Sequence, residues 1–207
     1  ALSIVDTLSP LPYFLNRPVQ IESSAAVLLW LGSLIGYPLH FTKAFGAVNA
    51  ISPLSHRISL LSTLCLGGDF LYTLWLQWRG KLDVSTASLL LLLIVLITGK
   101  VFSPQYIIWV IPLAAYVGKS NWKWLVSWGS AALLTTVIWP YLYEASYSLH
   151  VPLKPDFFPV VLARNVIILI ILLALLWRTT RRGRTMAGTS HGGQPAPLHF
   201  RSVINRI

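Results

Sequence analysis

The sequence predicts an all-α, polytopic membrane helical bundle, and two observations carry that prediction. Of the 207 residues, 55% are hydrophobic and only 11% are charged, whereas about 25% of the residues in an ordinary soluble domain are charged. The hydrophobic residues also form long runs, including the unbroken aliphatic stretch 89–97. We therefore expect about five transmembrane helices plus one short or re-entrant segment.

Six apolar segments account for these helices. A helix needs about 20 residues to cross the hydrocarbon core, so the second, fifth and sixth segments suffice alone. The third and fourth are short, and we interpret them as a helical hairpin whose second helix starts at Pro104, where a missing N–H costs nothing. Whether the first segment spans the membrane stays open. In chain order the segments are 25–39, 58–76, Val84–Thr98, 107–117, Trp122–Leu142 and 160–177.

A basic tail follows the last segment. The formal net charge is +10, and the last thirty residues hold no acid but contain Arg178, Arg181, Arg182, Arg184, Arg201 and Arg206. Such a cluster is typical of a cytoplasmic flank of a membrane helix. We therefore predict a transmembrane domain over 1–177 and a basic, disordered cytoplasmic tail over 178–207, in a multi-pass protein of the cell membrane. The bilayer is the expected partner, and nucleic acid is not.

Polar residues interrupt the predicted hairpin at Lys100, Ser103, Gln105 and Tyr106. Unpaired polar groups cost several kcal/mol in lipid. The interruption, residues 99–106, is therefore either a turn that reaches water or a site that handles a polar group at the membrane surface, and it can be both. We call it the polar break.

Two further polar clusters fall on the same side of the membrane as the polar break when the tail is placed in the cytoplasm. Arg17, Gln20 and Glu22 precede the first segment, and Arg164 and Asn165 lie about one turn into the last one. Helix capping explains the first cluster equally well, and snorkelling to the head groups explains Arg164. Together the clusters form a cationic, hydrogen-bonding surface that suits a lipid-linked phosphate.

Other chemistries lack their signatures. The sequence contains no P-loop, no serine-hydrolase motif and no Cys/His metal spacing, and the histidines His40, His56, His150, His191 and His199 form no ligand pattern. The single cysteine, Cys65, excludes an internal disulfide. We identify no cofactor and no metal ligand, and a divalent metal requirement stays open.

Four stretches carry a resemblance to a known family: NRPVQIES, TGKVFSPQYIIWVIPL, LLTTVIWPYLY and LARNVIILIILL, in that order. Over residues 11–177 they resemble the C-terminal half of glycosyltransferase family 87, whose members are multi-pass enzymes of the GT-C superfamily. The KVFSPQYIIW stretch is also similar to the glycosylphosphatidylinositol mannosyltransferases. The resemblance implies a GT-C-like hexosyltransferase of the cell envelope, with mannose as the common sugar of the family and hence a mannosyltransferase as the expectation. Such an enzyme moves the sugar from a polyprenyl-phosphate donor to a glycan or lipid acceptor on the non-cytoplasmic face.

The resemblance also implies roles for individual residues. The residues that match the donor motif and would bind its phosphate or sugar are Lys100, Ser103, Gln105 and Tyr106. Those that match the other motifs and would line the same site are Arg17, Gln20, Glu22, Arg164 and Asn165. The family's catalytic Asp or Glu lies in the first outer loop, so we expect it in a portion preceding Ala1, and Glu22 is the candidate stand-in within this chain.

Two other functions remain open from the residues alone. A transporter or flippase half-domain would use the polar break as a discontinuous helix, although no second break corresponds to it. A non-catalytic membrane scaffold would use the basic tail to bind anionic lipid or a partner, but it leaves the polar break unexplained.

Overall fold

The computed structural model describes residues 17–119, 121–143 and 155–188, and only the backbone of 180–188. Within these residues the chain is mostly helical, as predicted. The helices are α1 (Ser24–Leu34), α2 (Ser55–Trp78), α3 (Val84–Thr98), α4 (Gln105–Gly118), α5 (Trp122–Thr136) and α6 (Phe157–Gly188), and α5 continues into a wider π-helical segment, π1 (Val137–Leu142). The strands are β1 (Val19–Gln20), β2 (His40–Ala44) and β3 (Ala47–Ile51).

Three helical segments are long and apolar enough to cross a membrane: Ser55–Trp78, Trp122–Leu142 and Phe157–Thr179. These are the three that the sequence marked as long enough. The predicted count of about five spans is not confirmed, because α3 has 15 residues and α4 has 14. These two short helices pack against each other, and α4 begins immediately after Pro104, as the hairpin interpretation expects.

The all-α prediction is wrong for the strands on either side of α1, because β1, β2 and β3 form a three-stranded antiparallel sheet of order β1-β3-β2. The apolar segment 25–39 is helical only as far as Leu34, and the chain then turns at Gly36, whose φ is +99°. β2 and β3 are joined by Phe45 and Gly46, with φ of 56° and 70°. Two positive φ values in succession give the tight turn whose twist matches a hairpin.

The end of α6 bears on the predicted tail. α6 continues as a helix to Gly188, beyond residue 178, where the tail was predicted to begin. The remainder of that predicted tail, 189–207, lies outside the described residues.

The buried apolar residues form two clusters. The larger one lies among α3, α4, α5 and α6. The smaller one joins the sheet and α1 to π1 and the start of α6. In it, Phe158 stacks on Trp30 with ring centroids 5.6 Å apart and lies 6.1 Å from Phe41. The small sheet is therefore packed on the start of α6.

Asp83 caps α3, and its replacement by alanine is the first testable change. Its carboxylate accepts hydrogen bonds from the Thr86 N–H at 3.1 Å and the Thr86 hydroxyl at 2.6 Å, and these bonds lower the pKa of Asp83. We expect Asp83→Ala to cost about 1 kcal/mol of unfolding free energy, and Asp83→Asn to keep most of the cap. The stabilisation should be present above the usual pKa of 3.8 and disappear as pH falls through the lowered value. Detergent-titrated unfolding at several pH values measures both effects, and equal stability of Asp83→Ala and wild type would contradict the assignment.

Candidate functional site

The structure brings the three predicted polar clusters together at one end of the helices. The backbone N–H of Gln20 donates to the carbonyl of Lys100 at 2.9 Å, which joins the first cluster to the polar break. Arg164 reaches Glu22, which joins the first cluster to the last helix. α3 ends at this end of the bundle, while α1, α4 and α6 begin there. Segments that are far apart in the sequence thus meet around one point.

At its centre is a buried ion pair between Glu22 and Arg164. The Arg164 Nη1 donates to Glu22 Oε2 at 3.0 Å, and Nη2 donates to the Glu22 backbone carbonyl at 2.6 Å. The side chains are 2% and 0% exposed. Arg164 Nε donates to the Asn165 side-chain oxygen at 3.1 Å. The guanidinium therefore has a partner at each of its three nitrogens, and such a geometry is what a buried charge requires.

Tyr143 completes this arrangement, and sequence reasoning did not assign it a role. Its hydroxyl donates to Glu22 Oε1 at 3.0 Å, across 121 positions of the chain. Tyr143 directly follows π1, within which the backbone of Trp139 departs from helical geometry, with φ −119° and ψ 120°. The Tyr143 ring packs edge-on against the Phe157 ring, with ring centroids 5.4 Å apart. The one available signal was its place at the end of the LLTTVIWPYLY stretch. We call Glu22, Tyr143, Arg164 and Asn165 the buried polar cluster.

Phe102 connects the polar break to the buried polar cluster. Its side chain is 0% exposed, and the Arg164 guanidinium carbon lies 3.8 Å from its ring centroid. This distance is well within the range of a cation–π contact, which gains strength when the cation is desolvated. Phe102, the one aromatic residue between Lys100 and Gln105, therefore stabilises the buried Arg164 guanidinium through its ring.

Burial controls the electrostatics of the buried polar cluster. Removal from water raises the pKa of the Glu22 carboxyl, while Arg164 and the hydrogen bond from Tyr143 act in the opposite direction. Burial also raises the pKa of the Tyr143 hydroxyl, and the nearby Glu22 adds to this shift. Tyr143 therefore remains a hydrogen-bond donor throughout the accessible pH range. Both Glu22 carboxylate oxygens are engaged, so this side chain stabilises the junction in the observed arrangement.

The residues predicted to bind the donor lie nearer the surface. Lys100, Ser103 and Tyr106 are half-buried and Gln105 is exposed. Partial burial lowers the pKa of Lys100. Tyr106 stacks on Trp109, with ring centroids 4.8 Å apart. At the start of α4 the N–H groups of Tyr106 and Ile107 already donate to the carbonyls of Ser103 and Pro104. The features that suit an anion here are therefore the charge of Lys100 and the positive end of the α4 dipole.

A second pair of buried polar atoms lies on the sheet. Gln20 and Asn49 are directly opposite in the β1–β3 register, and they are 6% and 0% exposed. The Asn49 amide nitrogen donates to the carbonyls of Ala44 and Ala47. In the part of the chain that the structure describes, the side-chain oxygens of Gln20 and Asn49 have no hydrogen-bond partner. Both are acceptors, so a buried water molecule would satisfy them.

The remaining predicted site residue, Arg17, is half-buried and lies two residues before β1, beside the same cluster in sequence. Over the described ranges, no group of three or more His, Cys, Asp or Glu side chains could hold a metal ion. Comparisons with protein-family models, with curated proteins and with solved structures give no match.

Proposed function

We propose that this chain is part of an integral membrane hexosyltransferase, with mannose as the expected sugar, and that the polar break binds the phosphate of a polyprenyl-phosphate-linked donor. A glycan or lipid on the non-cytoplasmic face would accept the sugar. The observation that carries the proposal is the meeting of the three polar clusters. Cations and hydrogen-bond donors that are scattered in the sequence surround one end of an apolar bundle.

The chemistry of this end supports a lipid-linked anion. Lys100 supplies positive charge, and the start of α4 supplies the positive end of a helix dipole. Gln105, at that start, is exposed and free to donate. The adjacent apolar helices suit the polyprenyl chain, so one molecule would satisfy both the polar and the apolar surface.

The backbone of β1 supports a sugar position next to that phosphate. Gln20 is tied by its backbone to Lys100, so the sugar and phosphate positions would be adjacent.

In this proposal the buried polar cluster positions the site and Glu22 anchors it. The Glu22–Arg164 pair fixes the segment that carries Gln20, and Phe102 fixes the segment that carries Lys100. The acid that accepts a proton from the attacking hydroxyl would come from the family's first outer loop. Donor binding is the direct readout of the role proposed for Lys100.

The test is donor binding by the Lys100→Ala variant. Wild-type and variant chains in lipid nanodiscs are titrated with polyprenyl-phosphate mannose, and binding is followed by tryptophan fluorescence. We expect Lys100→Ala to weaken binding about tenfold or more, since a charge-assisted contact to phosphate is lost. Lys123→Ala is the matched control, because Lys123 is exposed at the opposite end of the bundle, and it should bind like wild type.

Alkaline titration provides a second arm of the same test. Because the pKa of Lys100 is lowered from its usual 10.5, wild-type affinity should fall as pH rises through the lowered value, while Lys100→Arg should hold its affinity. Binding that is equal in wild type and Lys100→Ala would contradict the proposal. Equal binding of polyprenol without phosphate would indicate that the lipid chain alone is recognised.

A further inference from the structure

Asp69 lies in the middle of a membrane-spanning helix. α2 runs from Ser55 to Trp78, and at 1.5 Å per residue Asp69 is about 21 Å from its start and about 13 Å from its end. The hydrocarbon core of a bilayer is about 30 Å thick, so Asp69 falls within it. Its side chain is exposed. An ionisable side chain at this depth is costly unless it meets a polar partner or water.

Among the described residues, few neighbours cover the part of α2 around Asp69. Only Thr73 and Leu76 of α2 are buried, and 6% of its apolar window is buried overall. Asp69 lies four residues before Thr73 and therefore on the same side of the helix. α2 contacts α3 and α1, but its middle is left uncovered by the described residues.

An exposed stripe surrounds the acid. Leu61, Cys65, Gly68 and Tyr72 are all exposed, and their spacing of four, three and four residues places them along one side of α2, with Asp69 beside them. We call these five residues the Asp69 face. A Cβ added at Gly68 would meet nothing within 4 Å. Small residues at such positions let a second membrane helix approach closely.

The negative charge of Asp69 indicates which kind of side chain that second helix carries. In the described spans, Arg57, Lys123 and Arg178 lie close to the span ends, and Arg164 is enclosed in the buried polar cluster. None of them is available at mid-depth. A symmetric pair of copies would bring Asp69 against Asp69, so a second copy fits poorly. We propose that the Asp69 face binds a membrane-spanning helix of a partner protein that bears a lysine or arginine at mid-depth.

The native cysteine provides the test. The chain has one cysteine, and Cys65 lies one turn before Asp69 on the Asp69 face, exposed and free. The probe is a membrane-spanning polyleucine peptide with one central lysine and a cysteine one turn away from it. Wild-type chain and peptide are combined in liposomes under mild oxidation, and disulfide formation with Cys65 is quantified. We expect about tenfold more cross-link than with the same peptide carrying leucine in place of lysine.

Matched variants separate charge from apolar packing. Asp69→Leu should reduce the cross-link to the level of the leucine peptide, and Asp83→Asn, which removes an acid outside the span, should leave it unchanged. Gly68→Leu should also lower it, since the added side chain occupies space that is open in the chain itself.

Three results would overturn the proposal. Equal cross-linking of the two peptides would show unspecific packing. A preferred disulfide between two copies of the chain would identify a homodimer. Rapid reaction of Cys65 with a membrane-impermeant thiol reagent, unaffected by the lysine peptide, would show that Asp69 faces a water-filled cavity. The inference does not depend on the transferase proposal, and neither test decides the other.

Discussion

Arg164→Met is expected to destabilise the protein by about 3–5 kcal/mol, because it leaves a buried carboxylate without its cation. Arg164 is fully buried, and three of its nitrogens donate to Glu22 and Asn165. Methionine would fill much of the space that Arg164 occupies beside the Phe102 ring, but it donates no hydrogen bond. The measurement is unfolding in mixed micelles, followed by tryptophan fluorescence and circular dichroism.

The double variant Glu22→Gln with Arg164→Met is the decisive control. If the loss arises from the stranded charge at Glu22, its neutral isostere should recover a large part of the stability, as replacement of whole buried pairs does elsewhere. If the double variant is as unstable as Arg164→Met alone, the contribution of Arg164 comes from packing on Phe102 and from its hydrogen bond to Asn165.

The pH dependence of Arg164→Met has a definite sign. Burial already raises the pKa of Glu22, and Arg164 is the largest influence that lowers it, so the variant should raise it further. A carboxyl group whose pKa is higher in the folded than in the unfolded state does not destabilise the fold below its usual pKa of 4.5. It destabilises the fold increasingly as pH rises from that value through the folded-state pKa. The deficit relative to wild type should therefore shrink on acidification toward that pH. A deficit that grows on acidification would contradict this account.

The helices were predictable because the membrane imposes their pattern. Continuous apolar runs reveal spans without knowledge of tertiary contacts, and the predicted limits of α3, Val84–Thr98, agree with the structure. Pro104 marked the start of α4 for a local reason, since it lacks the N–H that would be unpaired there.

The sheet was not predictable by the same route. β2 and β3 have five residues each and lack clear alternation, and β1 has two. Their pairing depends on a turn at Phe45 and Gly46 in which a phenylalanine takes a positive φ, a conformation that residue preferences argue against. Short strands of this kind are stabilised by the elements they pack on, here the start of α6. Such tertiary contacts cannot be predicted from the local sequence.

The polar residues were recognisable one by one, but their pairing was not. Glu22 and Arg164 stood out in the sequence as charged residues in polar clusters beside apolar segments, and the ion pair joins them across 142 positions. Nothing local identifies Tyr143, because a tyrosine near a helix end is normally an interfacial anchor. Asp69 lies in a long apolar run, and composition alone was enough to predict a helix there. Composition did not indicate that the charged side chain would lie on an uncovered surface of that helix.

Phe102→Ala is expected to be the most damaging single change in the polar break, with a loss of about 3–5 kcal/mol on unfolding. The ring is fully buried in the larger apolar cluster and also bears the Arg164 guanidinium at 3.8 Å. Truncation removes core volume and the cation–π contact together. Unfolding in mixed micelles measures the sum of the two effects.

Phe102→Leu separates those effects, because leucine keeps most of the apolar volume and has no ring face for the guanidinium. We expect a smaller loss of stability than for alanine, together with weaker binding of the polyprenyl-phosphate donor, since the segment that carries Lys100 is then less firmly held against Arg164. Trp109→Leu is the control: it removes an exposed ring next to Tyr106 without touching Arg164, and it should leave the buried polar cluster intact. If Phe102→Leu binds donor as well as wild type while it loses stability, the buried polar cluster supports the fold without positioning Lys100.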